Sequence, residues 1–524
     1  MLGHAARFLP AALIACCLDA APCAADPCDG PREVRTGTVA SIRAFIDGRQ
    51  MTAVTFAGYS EPRPGLAQSA PFEGSLPRLT RLELAVRVDY DAGRVDGTAT
   101  LTLHNASPAP LARVPVLLNR LMRVEAVRGD DGRALAVRQR IAVFEDLPRY
   151  QVNAVEIDLP APLAPGGSVR LGVDYGGYLV GYTEVGWRYV RDHVDRDFTI
   201  LREEALAFPV VGVPSLRVNR GAPGAPFEFE VSVTVPEDLV VATGGEQVGR
   251  TVGDGLATWR YRSREPAPYL IVTIAPYRVA EADGLRVFHF AADVEGGQMV
   301  LRGSQRAAAR YREIFGPLDE ALALNVMEIP QGWGSQASLA GGIIQEAPAF
   351  RDRDQLYQLY HELSHLWSAR DLDTPSPRWN EGLAEFLQGR LARELDGWDG
   401  EAAALQRTAT WLLEECGRDQ PCGRVPLRRY GEERMTDWSY SVGRLMFAAL
   451  YHALGEEAFD RALRRHFQAH KAPGTRTDDL VLAFVEVGGP VAQRILDDWL
   501  ESTAWVGRLR EAQSLQAAFD GYRR

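Results

Sequence analysis

Two histidines and a glutamate in Tyr360-His361-Glu362-Leu363-Ser364-His365-Leu366-Trp367 have the types and spacing for metal chemistry. Four residues on a helix are slightly more than one turn, so His361 and His365 project from one face, one above the other. Two neutral imidazoles presented this way can chelate a single zinc ion, and Glu362 beside them can serve as base toward a water activated there. A catalytic zinc usually keeps three protein ligands and one open position. The third donor should be a carboxylate. Glu381, with fifteen residues intervening after His365, and Glu385, one turn further on the same face, are the two candidates.

The elements that must hold these groups are two helices. DRDQLYQLYHELSHLWSAR places Leu356, Leu359, Leu363 and Leu366 at helical spacing, the mark of an amphipathic helix. A loop carrying Pro375 and Pro377 follows, and RWNEGLAEFLQGRLARE then reads as a second helix with Glu381 near its start.

H-E-L-S-H-L-W followed by W-N-E-G resembles the zinc signature of the aminopeptidase N-type gluzincins, which include the leukotriene hydrolase/aminopeptidases. The resemblance implies that Glu381, in N-E-G, is the third ligand and that one zinc is held per chain. It departs from the family in one respect: eighteen residues normally separate the second His from that Glu, and three are missing here around DTPSP. Tyr440-Ser441-Val442-Gly443 falls where the family has Y-x-x-G, whose Tyr donates to the oxyanion of the tetrahedral intermediate. The implied catalytic pair is therefore Glu362 and Tyr440. The family's exopeptidase motif G-x-M-E-N lies on an edge strand along which substrate is laid, and its Glu binds the free α-amine. Gly341-Gly342-Ile343-Ile344-Gln345 aligns with it, but Ile344 stands at the Glu position, Gln345 at the Asn position, and Glu346 lies two beyond. These residues, with Glu346, are the expected substrate-binding strand. Glu203 and Glu204, just upstream of Phe208-Pro209, are candidates to line the pocket for the substrate's first side chain.

The implied architecture is multidomain α+β: an N-terminal antiparallel β-domain, then a thermolysin-like mixed α/β zinc peptidase domain ending in helices. The pattern supports the order. Leu82, Leu84, Val86, Val88 and then Ala99, Leu101, Leu103 alternate as strands do, with turns at Asp91-Ala92-Gly93 and Asp130-Asp131-Gly132. FPVVGVPS and APYLIVTIAPYRV have counterparts in the family's saddle-like β-domain. The expected boundaries are a signal peptide over 1–25, an extension and linker over 26–77, the β-domain over 78–279 and the catalytic domain over 280–524. The family's large C-terminal helical domain has no counterpart in this sequence.

The N-terminus has Arg7, an apolar run from Phe8 to Leu18, and small residues after it. That pattern is a secretory signal with cleavage near Ala25, so the expected location is periplasmic or secreted. Leu13-Ile14-Ala15-Cys16 also resembles a bacterial lipobox, an alternative that leaves a lipid anchor at Cys16. No stretch is long and apolar enough for a transmembrane helix. Cys416 and Cys422 are spaced to close a small loop by a disulfide in an oxidising compartment. The net charge of −11, without long single-sign runs, argues against nucleic acid as a partner.

The expected function is that of an exported zinc metallopeptidase acting on peptide substrates, aminopeptidase-like. Losing the amine-binding Glu opens two other readings. One is a zinc hydrolase of different specificity, either an endopeptidase or a small-molecule hydrolase. The other is a non-catalytic peptide-binding relic of the fold.

Overall fold

The structure, a computed structural model, describes residues 40–46, 49–56, 59–60 and 65–523, other than 149, 180, 182–189, 222–225, 319–321, 339–341, 418–419 and 434. The signal segment, the lipobox and Gly341 lie outside the described residues.

Alternation builds the first unit. In the strand Arg78–Asp89, Leu82, Leu84, Val86 and Val88 turn inward and are buried. On the outer face, Arg81 pairs with Glu83 on its own strand and with Glu228 and Glu230 on the neighbouring one. This strand lies mid-sheet in seven, in the order Glu246–Gly253, Leu256–Arg262, Glu228–Pro236, Arg78–Asp89, Arg94–His104, Ser168–Tyr178, Met122–Arg128. A four-stranded sheet, ordered Val210–Val211, Leu111–Asn119, Gln151–Leu163, Val137–Val143, shares its apolar core. The antiparallel expectation has one exception, since Arg78–Asp89 and Glu228–Pro236 run parallel.

A small sheet of Thr199–Arg202, Ile271–Ala275 and Val240–Thr243 joins this unit to the next. Its Ile200, Ala242 and Ile271 pack with Met327, Ile329 and Ile344. Arg202, fully buried, pairs with the equally buried Asp192 at 2.7 Å and donates to the Trp333 carbonyl at 3.1 Å. A buried ion pair of this kind fixes geometry more than it stabilises. Gly342 adds a backbone contact: a Cβ there would stand 2.6 Å from Gly244 Cα.

The second unit is built on a five-stranded sheet, ordered Arg278–Ala282, Leu285–His289, Leu324–Ile329, Gly342–Glu346, Gln336–Ser338. The edge is not where the sequence places it. Gly342–Glu346 is an interior strand, parallel to Leu324–Ile329, and Gln336–Ser338 covers its outer side antiparallel. Ile343 points into the helical core and Ile344 into the joint with the β-domain. Glycine and β-branched residues buried on both faces mark a central strand, and that is how this segment is used.

Helices cover the sheet. Val294–Phe315 and Leu356–Ser364 pack together, with the Tyr311 hydroxyl donating to the Tyr360 carbonyl at 2.6 Å. Trp379–Asp396 and Trp438–Leu454 cross at two glycines, where a Cβ on Gly382 would stand 2.5 Å from Gly443 Cα. The Cys416–Cys422 disulfide is formed, closing the end of the helix Glu401–Gly417. Among the described residues no helix is long and apolar enough to cross a membrane.

Candidate metal centre

Leu356, Leu359 and Leu363 bury one face of the helix Leu356–Ser364 and turn His361 toward Trp379–Asp396. The helix tightens into a 3-10 turn at His365. The two imidazoles still face together, with ring centroids 5.1 Å apart. The shortened loop still brings Glu381 between them. Its Oε2 lies 3.5 Å from His361 Nε2 and 3.5 Å from His365 Nε2. One ligand atom from each of the three residues falls within 4.8 Å of the others.

Glu385 takes a different place from that of a third ligand. Its Oε1 lies 3.6 Å from His361 Nδ1, the ring nitrogen on the other side, and Gln388 Nε2 donates to its Oε2 at 2.6 Å. A carboxylate near that nitrogen favours the tautomer with the proton on Nδ1, which leaves Nε2 free for a metal. Position thus distinguishes the two carboxylates: Glu381 lies between the imidazoles and Glu385 behind one of them.

The electrostatics fit a dication. Burial opposes the charge on Glu381, but His365, His361 and Arg378 outweigh it and hold the carboxyl well below the usual carboxylate range. Burial also opposes a charged His361, yet hydrogen bonding to Glu381 and the charges of Glu362 and Glu385 push it up to about 9. Two imidazoles and an ionised carboxylate, with carboxylates all round, form a donor set suited to zinc.

The flanking groups converge on the same point. Burial raises the Glu362 carboxyl, and the Ala337 amide of the edge strand donates to it. The Tyr440 ring lies parallel to the His361 ring at 6.3 Å, with 6° between planes. Burial and the charge of Glu381 raise its hydroxyl, which stays protonated and able to donate at neutral pH.

The expected substrate strand is not in the cleft. Ile344 and Gly342 are buried in the joint with the β-domain, and Gln345 donates to Ser335 and Gln358 at 3.2 Å. Glu346 Oε1 accepts from the Gly334 amide at 2.7 Å, so it is committed to the turn before the edge strand. The strand that reaches Glu362 is Gln336–Ser338. Laying the family's five-residue motif there gives Gly334-Ser335-Gln336-Ala337-Ser338, with Ala337 in the Glu position. Neither register supplies the carboxylate.

Three residues at the cleft carry no motif-level signal. The Tyr269 hydroxyl donates to the Ala337 carbonyl and faces Glu362, Glu204, Glu381 and Glu203. Gln336 Nε2 donates to Glu204 Oε1 at 3.2 Å, tying the β-domain to the edge strand. Arg378 NH2 donates to Glu381 Oε1 at 2.6 Å. Glu203 lies beside Glu204, and burial with that neighbouring charge pushes it up to about 8. Tyr269 falls in APYLIVTIAPYRV and Arg378 directly ahead of W-N-E-G, while Gln336 lies in no patterned segment.

No family model matches the chain. An M1 zinc metallopeptidase from Deinococcus radiodurans superposes with a TM-score of 0.57 at 22% identity, covering 82% of this chain and 94% of that one. The fold is that of the M1 zinc metallopeptidases. A mutant of that enzyme bound to a Tyr-Ser-Ala substrate superposes with a TM-score of 0.56, covering 81% of this chain and 94% of that one. In sequence the chain is similar to Aminopeptidase M1-C and Aminopeptidase M1-D of Oryza sativa subsp. japonica, each 21% identical, over 480 and 479 residues. These alignments take in 85% and 84% of this chain and 52% of each relative, so the chain spans about half the length of the curated relatives it matches. Fold and relatives agree with the resemblance to the aminopeptidase N-type gluzincins that the zinc motifs carry, at low sequence identity. In this structure the β-domain contributes Glu203, Glu204 and Tyr269 beside the candidate metal centre.

Proposed function

We propose that this chain is a zinc-dependent peptidase of aminopeptidase-like descent, holding one zinc through His361, His365 and Glu381. The observation that carries the reading is the convergence of these three donors within 4.8 Å, with Glu362 and Tyr440 beside them. Bound there, zinc supplies Lewis acidity, polarising a peptide carbonyl and making water acidic enough to attack it at neutral pH.

The chain's own groups do the rest. The Glu362 carboxylate takes the proton from the attacking water and returns it to the leaving amine. The Tyr440 hydroxyl donates to the oxyanion that develops at the substrate carbon, a contribution of about 3 kcal/mol for one such donor. The edge strand Gln336–Ser338 borders the cleft, with its Ala337 amide on Glu362 and its Ala337 carbonyl on Tyr269. Glu385 keeps His361 in the tautomer that presents Nε2.

Export to the periplasm or beyond is part of the proposal, supported by the sequence pattern of residues 1–25 and by the disulfide, which suits an oxidising compartment. The Tyr-Ser-Ala complex of the Deinococcus enzyme supports peptides as the substrate class. The test is hydrolysis of a short-peptide panel by the purified protein. Cleavage abolished by a zinc chelator and restored by zinc is expected; cleavage indifferent to the chelator would refute the reading.

A further inference from the structure

The two oxygens of Glu381 face opposite ways. Oε2 points between the imidazoles, 3.5 Å from each Nε2, while Oε1 accepts from Arg378 NH2 at 2.6 Å. The arginine is therefore bonded to the oxygen turned away from the histidines.

Arg378 reaches this place at a cost. It is the residue before the helix Trp379–Asp396 and lies in the left-handed region, φ 56° and ψ 38°, where few side chains other than Gly, Asn or Asp settle. Strain of this kind persists where the surroundings over-determine the conformation, and they do so here. The Arg378 amide donates to Ser376 Oγ at 2.9 Å, and Ser376 Oγ donates to Asp371. The Pro377 carbonyl accepts from Ser439 Oγ at 2.6 Å, on the residue next to Tyr440. The guanidinium carbon lies 5.9 Å from the centre of the Tyr440 ring. An ordinary capping residue would satisfy the helix end, but Arg378 makes no side-chain cap and spends its fork on Glu381.

We propose that Arg378 is a positioning residue that holds Glu381 as a one-oxygen ligand by engaging the other oxygen. The inference rests on the zinc reading above. A guanidinium on one carboxylate oxygen keeps the group from rotating and from offering both oxygens to a metal. Arg378 is 44% exposed, so replacing it opens no buried void.

The experiment measures zinc affinity by competition with a chromophoric chelator, in the wild type, Arg378→Met, Arg378→Lys, Glu381→Ala and the Arg378→Met/Glu381→Ala double variant. Methionine keeps the same backbone penalty while removing the fork. Arg378→Met should weaken zinc binding about 10- to 100-fold, with Arg378→Lys between it and the wild type. In the Glu381→Ala background, read at the higher zinc concentrations that the weakened two-histidine site needs, the Arg378→Met substitution should cost no further affinity. The cobalt-substituted wild type should give the intense visible bands of four-coordinate cobalt, and Arg378→Met the weaker bands of a higher coordination number. Thermal unfolding of the metal-free forms controls for misfolding. Equal loss from Arg378→Met with and without Glu381, or unchanged affinity and cobalt spectrum, would overturn the assignment. Failure of the wild type itself to bind zinc would instead overturn the reading on which it rests.

Discussion

Gly382 and Gly443 meet backbone to backbone: a Cβ on either would stand within 3 Å of the other's Cα, at 2.5 and 2.9 Å. One glycine follows Glu381 and the other closes the turn that begins at Tyr440. Their contact lets the two helices approach closely enough for Tyr440 to lie parallel to His361. The glycines of W-N-E-G and Y-x-x-G thus act as a pair.

Gly443→Ala should push these helices apart and destabilise the protein by about 1–3 kcal/mol, the usual cost of overpacking. It should also lower kcat more than it weakens zinc binding, because the tyrosine moves and the three ligands do not. Thermal unfolding beside steady-state kinetics checks both. Equal loss of zinc affinity and kcat would place the effect at the metal instead.

Glu381 and Glu385 lie one helical turn apart and should behave differently. Glu385→Ala should lower zinc affinity about 10- to 100-fold by freeing His361 while leaving a site that fills at high zinc. Chelator competition measures it. Complete loss of zinc on Glu385→Ala, with retention on Glu381→Ala, would exchange their roles.

How much of this was legible in the sequence depends on where the information lies. The candidate ligands sit in two local motifs, so spacing and helical periodicity point to His361, His365 and the pair Glu381 and Glu385, and the resemblance singles out Glu381. The alternating residues from Leu82 to Leu103 are likewise buried as read. The edge strand was misplaced because Ile343 and Ile344 make the strongest local strand signal, and a doubly buried run belongs inside a sheet. The true edge, Gln336–Ser338, is three residues long and too short to show a period. The parallel pairing of Arg78–Asp89 with Glu228–Pro236 and the approach of Tyr269 and Arg378 to the cleft are tertiary facts. No local pattern encodes them.

Specificity follows from the corrected register. With Ala337 at the position where the family carries its amine-binding Glu, the edge strand has no carboxylate for a substrate ammonium. Glu203, which burial and the neighbouring charge of Glu204 push up to about 8, is a poor substitute for it. The protein should discriminate between a free peptide and its N-acetylated form by less than about 100-fold in kcat/KM, roughly 2.7 kcal/mol. A larger preference for the free amine would show a working ammonium site, and Glu204, tied to Gln336, would be the first residue to substitute.

Away from the cleft, Glu328 is buried in the strand Leu324–Ile329 beside Asp293. Burial raises its carboxyl to about 8, the Phe290 amide opposes this, and Asp293 adds to the rise. The folded state therefore binds a proton that the unfolded chain releases near 4.5. The stabilisation from this group should be complete below pH 4.5 and decline as pH rises through about 8. Glu328→Gln should flatten that decline, gaining up to a few kcal/mol relative to the wild type at alkaline pH. Urea unfolding at pH 5 and pH 9 reads it; parallel profiles for the two proteins would disprove it.

The proposed chemistry requires a zinc held by His361, His365 and Glu381, with Glu362 as base. Zinc content per chain, measured by elemental analysis beside peptide hydrolysis, tests this most directly across four variants. The expected result is one zinc in the wild type, loss of zinc and activity together in His361→Ala, His365→Ala and Glu381→Ala, and in Glu362→Gln one zinc retained with hydrolysis abolished. A Glu362→Gln protein that still cleaves peptides, or a Glu381→Ala protein with full zinc content, would contradict it.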